Sequence, residues 1–394
     1  MDPRARVDAD ARARLGFYTI CKQQSTLNIE PRTALSIYDD FVAQTKTISH
    51  SDNVLRIVKK YNVRPIDITS LALVTFKIPD ISDTAIRAQL PPSQHKAVAG
   101  MLLQGCAQAR DPLAIVHILT AVYLGSSGNG PAQEIASLFP QKEIAQYRQL
   151  LDMIDLQSLE KTPSLVVEVL TLRGLFLERA GQKQEAIKVY QEAIKPSTLD
   201  HQTGTSSTHA MQFALIAPWN ALGYLHKADK DPNVQAEAQS YFQKGAFEGD
   251  DPLSYYELAA YEPKTSEKWL RYTSKAAASG HRQAILDLTG FYQEVAASNS
   301  SILENGSIRH ALNWLLTWRR GSAAKLAREW LHAASVVGHK PSMLQLADYY
   351  KSVGDDERSR HYLRQIVDSE SAALYKEEAP QLVHVARMRL AGIR

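Results

Sequence analysis

The chain has 394 residues, of which 44% are hydrophobic and 22% are charged, and its formal net charge is +3. These proportions are ordinary for a folded protein, and the length suits two or three domains or one elongated array. A net charge of +3 over this length is too small to indicate nucleic-acid binding by itself.

The cysteine content and the lengths of the apolar runs indicate the cellular compartment and the absence of membrane-spanning segments that we expect. Two cysteines, Cys21 and Cys106, are too few for a disulfide framework or a zinc site. We therefore expect an intracellular, reducing compartment, either the cytosol or the mitochondrial matrix. The longest apolar runs, at 71–76 and 165–172, are too short to span a bilayer, so no integral membrane segment is expected.

Residues 1–13 combine arginine and alanine with Asp2, Asp8 and Asp10. Transit peptides are poor in acidic residues. We therefore predict an exposed charged lead-in. Two alternatives stay open: the segment is a targeting signal, or the chain is a mature form whose presequence has been removed.

Residues 14–160 predict a helical region. Apolar residues recur three and four positions apart; in the helix that Pro31 opens, for example, Leu35 and Tyr38 share one face. The glycine-rich stretch at 125–131 predicts a flexible connection. Period-2 alternation is scarce, so no sheet is expected. The region is either a set of degenerate repeats or a separate helical cap.

Two later segments share one spacing. Each begins with Gly-His, at Gly280-His281 and at Gly338-His339. A small residue, a leucine and a tyrosine then follow at matching offsets: Ala284, Leu288 and Tyr292 in the first copy, and Ser342, Leu346 and Tyr350 in the second. A third copy begins at Gly249 with one extra residue. Agreement at every position indicates an internal repeat.

A tighter unit lies upstream of these copies. It places a glycine on a first helix, then an alanine and an aromatic residue on a second helix: Gly174, Ala186 and Tyr190 in one unit, and Gly223, Ala238 and Phe242 in the next. The small residues would let two helices approach closely, and the aromatic residues would fill the space between one pair and the next.

This spacing resembles the tetratricopeptide repeat and its longer relative, the Sel1-like repeat. The resemblance implies an all-α fold, an α-solenoid of stacked antiparallel helix pairs over residues 161–394. It also implies a non-enzymatic scaffold that binds a partner protein in a groove, as an adaptor or assembly factor. Pairs that cannot bury their apolar faces alone would stack into one continuous core.

No motif indicates catalysis. The 12 histidines show no metal-ligand spacing, and the glycine-rich stretch lacks the Lys-Ser/Thr ending of a phosphate-binding loop. Adjacent carboxylates such as Asp355 and Asp356 point away from each other on a helix. We therefore predict no catalytic residue, no cofactor and no metal.

One segment, 308–335, combines tryptophans with basic residues. The candidate partner-binding residues are Trp314, Trp318, Arg319, Arg320, Lys325 and Arg328. Such a face could bind an acidic peptide, an RNA backbone or a membrane surface. Alternatively, the tryptophans pack in the core and the basic residues face solvent. The polar loop from His201 to His209 is a second candidate.

Two further functions compete with the scaffold. An organellar RNA-associated repeat factor, acting in gene expression or ribosome assembly, would need a basic stripe and salt-sensitive binding. A structural subunit of a large complex would have few exposed polar groove residues.

Overall fold

The protein is all-α. The structure is a computed structural model that describes residues 3–80, 90–159, 162–195, 213, 215–297, 301–304, 306–313, 317, 321–368 and 379–392. These ranges contain α-helices and two short 3-10 helices, and no β-strand occurs within them. The predicted fold class, an α-solenoid of adjacent helix pairs, is confirmed.

The chain forms two compact units. The first comprises Met1–Ser197 with Gly204–Pro218, and the second comprises Thr198–Thr203 with Trp219–Arg394. The described helices of the first unit are α1 (Pro3–Gln23), α2 (Pro31–Gln44), α3 (His50–Tyr61), α4 (Pro65–Phe76), α5 (His95–Gln108), α6 (Pro112–Ser126), α7 (Gly130–Ala136), α8 (Gln141–Met153), α9 (Pro163–Arg179) and α10 (Lys183–Ile194).

The second unit continues the same architecture. Its described helices are α11 (Pro218–Lys227), α12 (Pro232–Gly249), α13 (Pro252–Ala259), α14 (Glu267–Ala278), α15 (Arg282–Ala296), α16 (Gly306–Ala311), α17 (Ser322–Val336), α18 (Lys340–Ser352), α19 (Asp356–Asp368) and α20 (Pro380–Leu390). The helix pair α9–α10, which opens the predicted repeat region, lies in the first unit.

The core of the first unit is built around α4, α5 and α6. Ten consecutive residues of α4, from Asp67 to Phe76, are buried, and so are nine of α6, from Leu113 to Ala121. A helix that is buried on every side lies at the centre of its domain. The glycine-rich connection after α6 is short, because Asn129 already caps α7 by accepting a hydrogen bond from the Ala132 backbone N–H.

The N-terminal segment is not an exposed lead-in, contrary to our prediction. Helix α1 begins at Pro3 and buries Arg6, Asp10 and Arg14, while Val7 is 61% exposed. Residues four apart share a helix face, so the three charged side chains lie on the one face of α1 that packs against the rest of the first unit. Each of the three also has a partner 74 to 83 residues away in sequence. Contacts this distant cannot be read from local sequence pattern.

The Gly-His sequences are turns between consecutive helix pairs. Gly280 and Gly338 have φ of +84° and +83°, the left-handed region that favours glycine at a helix end. His281 then caps α15, its Nδ1 accepting a hydrogen bond from the Ala284 backbone N–H at 3.2 Å. His339 occupies the same N-cap position before α18, but its side chain makes no cap bond to the backbone; its Nδ1 lies 2.8 Å from the Ser342 hydroxyl instead.

The third copy of this turn has no extra residue, so its predicted register was wrong by one. The left-handed position is occupied by Asp250 (φ +47°) rather than by Gly249, and Asp251 caps α13. Counting from Asp250, Ser254 and Leu258 fall four and eight residues on, as they do after Gly280. Both are buried.

Two aromatic residues that were predicted to pack between pairs cover a glycine of their own pair. Of these two, Phe242 also contacts Tyr261, which follows the first helix of the next pair. The Tyr190 ring of α10 lies over Gly174 of α9, where a Cβ would come within 2.3 Å of Cε1. The Phe242 ring of α12 covers Gly223 of α11 in the same way, with a corresponding distance of 2.5 Å. The glycine therefore makes room for a ring, which fixes how the two helices of a pair cross.

Tyr350 does connect consecutive pairs. Its hydroxyl lies 3.2 Å from His332 Nε2 on α17, and its ring stacks on Tyr362 of α19 at 5.8 Å. His332 also contacts the Tyr362 hydroxyl through Nδ1, at 2.8 Å. The remaining predicted repeat positions are buried: Ala186, Ala238, Ala284, Leu288, Tyr292, Ser342 and Leu346.

Candidate protein-binding surface

The first helices of successive pairs in the second unit form a surface linked by polar side chains. These helices are α11, α13, α15, α18 and α20, and we call their outward side the first-helix face. Because each helix belongs to a different pair, side-chain bonds between them show that successive first helices are neighbours.

Glu257 links the first two of these helices. Its carboxylate accepts hydrogen bonds from the Tyr224 hydroxyl and from Lys227 Nζ, each at 2.8 Å. Glu257 is buried, whereas Lys227 is exposed. Burial and the adjacent Glu257 carboxylate raise the pKa of Tyr224 above its ordinary value, so the phenol stays protonated and donates.

Tyr256 and Asp287 connect α13 with α15. The Tyr256 ring stacks on His281 with centroids 4.4 Å apart. Burial, with a smaller contribution from the Asp287 carboxylate, raises the pKa of Tyr256 to about 12. Burial also lowers the pKa of His281, so at neutral pH the stack joins two uncharged rings.

Exposed residues continue the surface toward the C-terminus. Gln293 of α15 donates to Gln345 of α18 at 2.7 Å, and Asp348 of α18 forms an ion pair with Arg389 of α20. Amides and paired charges present both donors and acceptors. Such a strip can bind an extended peptide or a helix through many modest contacts.

The predicted site residues fall only partly within the described chain. Lys325 is exposed on the second helix α17. Arg328 is half-buried, because its guanidinium lies 4.0 Å from the centre of the Tyr349 ring and donates to the Tyr349 hydroxyl. The others lie outside the described residues: Trp314, Trp318, Arg319, Arg320 and the His201–His209 loop.

A polar residue at one repeated position of the sequence indicates the first-helix face. Glu257, Asp287 and Gln345 each follow the left-handed residue of their turn by seven positions. A polar residue recurring at one repeat position indicates a shared exposed or bridging role. The predicted register at Gly249 is off by one and so does not align Glu257 with the other two residues.

Three observations on the described residues concern metal binding, thiol reactivity and membrane insertion. No group of three His, Cys, Asp or Glu side chains among them could hold a metal ion. Burial raises the pKa of the Cys106 thiol, which disfavours the reactive thiolate. Within the described part of the chain, no helix has the length and apolar character needed to cross a bilayer.

Comparison with known families supports the repeat assignment. A tetratricopeptide-repeat family model matches residues 167–195, which cover most of α9 and all of α10. A comparison with curated proteins gave no match. The α9–α10 pair is therefore tetratricopeptide-like, within a chain that forms an all-α helical-repeat fold.

Proposed function

We propose that the protein is a non-enzymatic scaffold that binds a partner protein along the first-helix face of its second unit. The observation that carries this proposal is the chain of side-chain bonds joining α11, α13, α15, α18 and α20. Tetratricopeptide repeats generally mediate protein–protein interaction and are generally not enzymes. An adaptor or assembly-factor role in the cytosol or mitochondrial matrix fits such a surface.

Two exposed glutamines provide the test. Gln293→Arg with Gln345→Arg places two bulky cations on the first-helix face without removing a buried group. The matched control is Ser240→Arg with Gln243→Arg, which adds the same charge to exposed positions of the second helix α12. Proteins captured by the tagged wild type should be lost with the first pair of changes and kept with the second.

Nuclease treatment separates the scaffold from the RNA-binding alternative. A protein scaffold keeps its partners after nuclease and loses little binding as salt rises, whereas an RNA-associated factor loses nearly everything. The candidate segment with Trp314, Trp318, Arg319 and Arg320 stays a prediction. Arg319→Ala with Arg320→Ala tests it, because these changes should weaken capture while leaving the melting temperature unchanged.

A further inference from the structure

The first unit contains a cleft that the proposed function does not use. It lies between α1, α2 and the segment at 91–94, and its volume is about 400 Å³. Small-molecule sites in proteins are clefts or cavities with volumes of roughly 300–1,000 Å³. Val7, Val42 and Pro91 give the cleft apolar walls, and charged residues of α1 line its other side.

Arg6, one of these charged residues, is already neutralised. Its Nε lies 2.9 Å from Asp10 Oδ1, and its Nη2 lies 2.7 Å from Asp80 Oδ1. Two carboxylates therefore match one guanidinium. An incoming anion would have to displace one of them, so Arg6 is a poor anchor for a ligand.

Arg14 differs from Arg6 in its ion pairs. Both guanidinium groups are buried and both have nitrogen atoms without a hydrogen-bond partner among the described residues, but only Arg14 lacks a carboxylate within 3 Å. Its side chain is 7% exposed, yet its nearest carboxylate, Asp39, lies 3.5 Å from Nη2. Its Nη1 lies 3.4 Å from His95 Nε2, and its Nε has no hydrogen-bond partner among the described residues. A buried guanidinium is costly unless it is paired and hydrogen-bonded.

The surroundings of Arg14 favour one more negative charge. The guanidinium carbon lies 4.1 Å from the centre of the Tyr38 ring, and Arg14 also forms a hydrogen bond with the Tyr38 side chain. Burial lowers the pKa of His95, so this neighbour is neutral and does not compete for an anion. The Asp39 side chain is 60% exposed and can turn outward into solvent.

We propose that this cleft binds a monocarboxylate, with the carboxylate on Arg14 and an apolar body against Val7, Val42 and Pro91. A phosphate is disfavoured, because Asp10 and Asp39 line the same cleft and would repel a dianion. The proposal concerns the first unit and is independent of the first-helix face. The carboxylate can belong to an acidic side chain of another protein or to a small organic acid.

Titration of the whole protein with paired probes distinguishes these sources. The peptide probe is acetyl-Leu-Glu-amide, and the small-acid probe is 3-methylbutanoate. Their uncharged controls are acetyl-Leu-Gln-amide and 3-methylbutanamide. Calorimetry should detect at least one acid, with its amide at least tenfold weaker; binding of the peptide alone assigns a protein source. Absence of binding by both acids, or equal binding of the amides, overturns the proposal.

Two substitutions test the role assigned to Arg14. Arg14→Gln should weaken carboxylate binding at least tenfold. Asp39→Asn removes the competing carboxylate from an exposed position, so affinity should rise roughly three- to tenfold. Asp8→Asn is the matched control, an exposed charge change on the same helix that should leave affinity unaltered. If Arg14→Gln does not fold, Asp39→Asn decides: unchanged or weaker binding contradicts the assignment.

Discussion

The Tyr190 ring of α10 occupies the space that a side chain at Gly174 of α9 would fill. A Cβ on Gly174 would lie 2.3 Å from Tyr190 Cε1 and 2.7 Å from Cδ1. Tyr190 is completely buried, so the ring has no room to withdraw. This glycine and tyrosine lie within the residues that match the tetratricopeptide repeat, and their contact sets the spacing of that helix pair.

Gly174→Ala should lower the free energy of unfolding of the first unit by about 1–3 kcal/mol through overpacking. Gly16→Ala is the control, because Gly16 lies in α1 and its Cβ position has no atom within 4 Å apart from its chain neighbours and the backbone of its own helix. It should be neutral or stabilise by about 0.5–1 kcal/mol, the helix-propensity gain. Urea denaturation measures both. Equal effects of the two changes would contradict the packing described for Tyr190.

Asp251 and Asp231 allow a comparison of a buried and an exposed helix cap. Both precede a proline and accept a backbone N–H, but Asp251 is buried and also accepts from Asn220 Nδ2 at 2.7 Å. Asp251→Ala should therefore cost about 2–4 kcal/mol, since it removes the cap and leaves the buried Asn220 Nδ2 without its acceptor. Asp231→Ala should cost about 1 kcal/mol. Similar losses in denaturant unfolding would argue against a buried network.

Neutral histidines should make stability depend on pH. Burial lowers the pKa of His281 below the unfolded value of about 6.5, and only a neutral ring accepts the Ala284 N–H. Below about pH 6.5 the unfolded chain takes up a proton that the folded state resists. Stability should therefore fall from pH 7.5 to pH 5.5. His281→Asn keeps a capping side chain and should reduce that slope, leaving the part due to His332 and His339.

Asp111 should make stability depend on pH in the opposite direction from the histidines, with lower stability at higher pH. Burial raises its pKa to about 6, although the Thr69 hydroxyl donates to its carboxylate at 2.6 Å. The folded-state pKa of Asp111 lies above the unfolded value, so the protonated carboxyl favours the folded state. Its contribution to the free energy of unfolding is complete below about pH 4 and is lost as pH rises through 6. Asp111→Asn should stabilise the first unit by about 1–3 kcal/mol at pH 7.5 and by little at pH 4.5. Thermal melts at both pH values would show this; an equal effect at both would contradict the raised pKa.

The turns between helices were predictable from sequence where a glycine occupies the left-handed backbone conformation. Gly280 and Gly338 adopt the left-handed conformation, and the residues that follow them begin helices as the spacing indicated. The register failed where Asp250 takes that conformation, which a residue with a Cβ adopts only rarely. Local spacing therefore identifies a repeat more reliably than it locates each turn.

The candidate surfaces were harder to predict, because their residues meet only in the folded chain. Tyr224 and Glu257 are 33 positions apart, and Arg14 and His95 are 81 apart. Helix α1 exposes Val7 and buries Arg6, so its composition alone suggests the wrong face. Contacts of this kind depend on tertiary packing, and periodicity along a single helix contains no information about them.

Capture of partner proteins by the full chain, after nuclease treatment, tests the central claim most directly. The wild type and the Ser240→Arg, Gln243→Arg control should retain one common set of proteins, and Gln293→Arg with Gln345→Arg should lose that set while melting at the same temperature. Retention of every partner by the Gln293→Arg, Gln345→Arg protein, or loss of all partners on nuclease treatment, would contradict protein binding through the first-helix face.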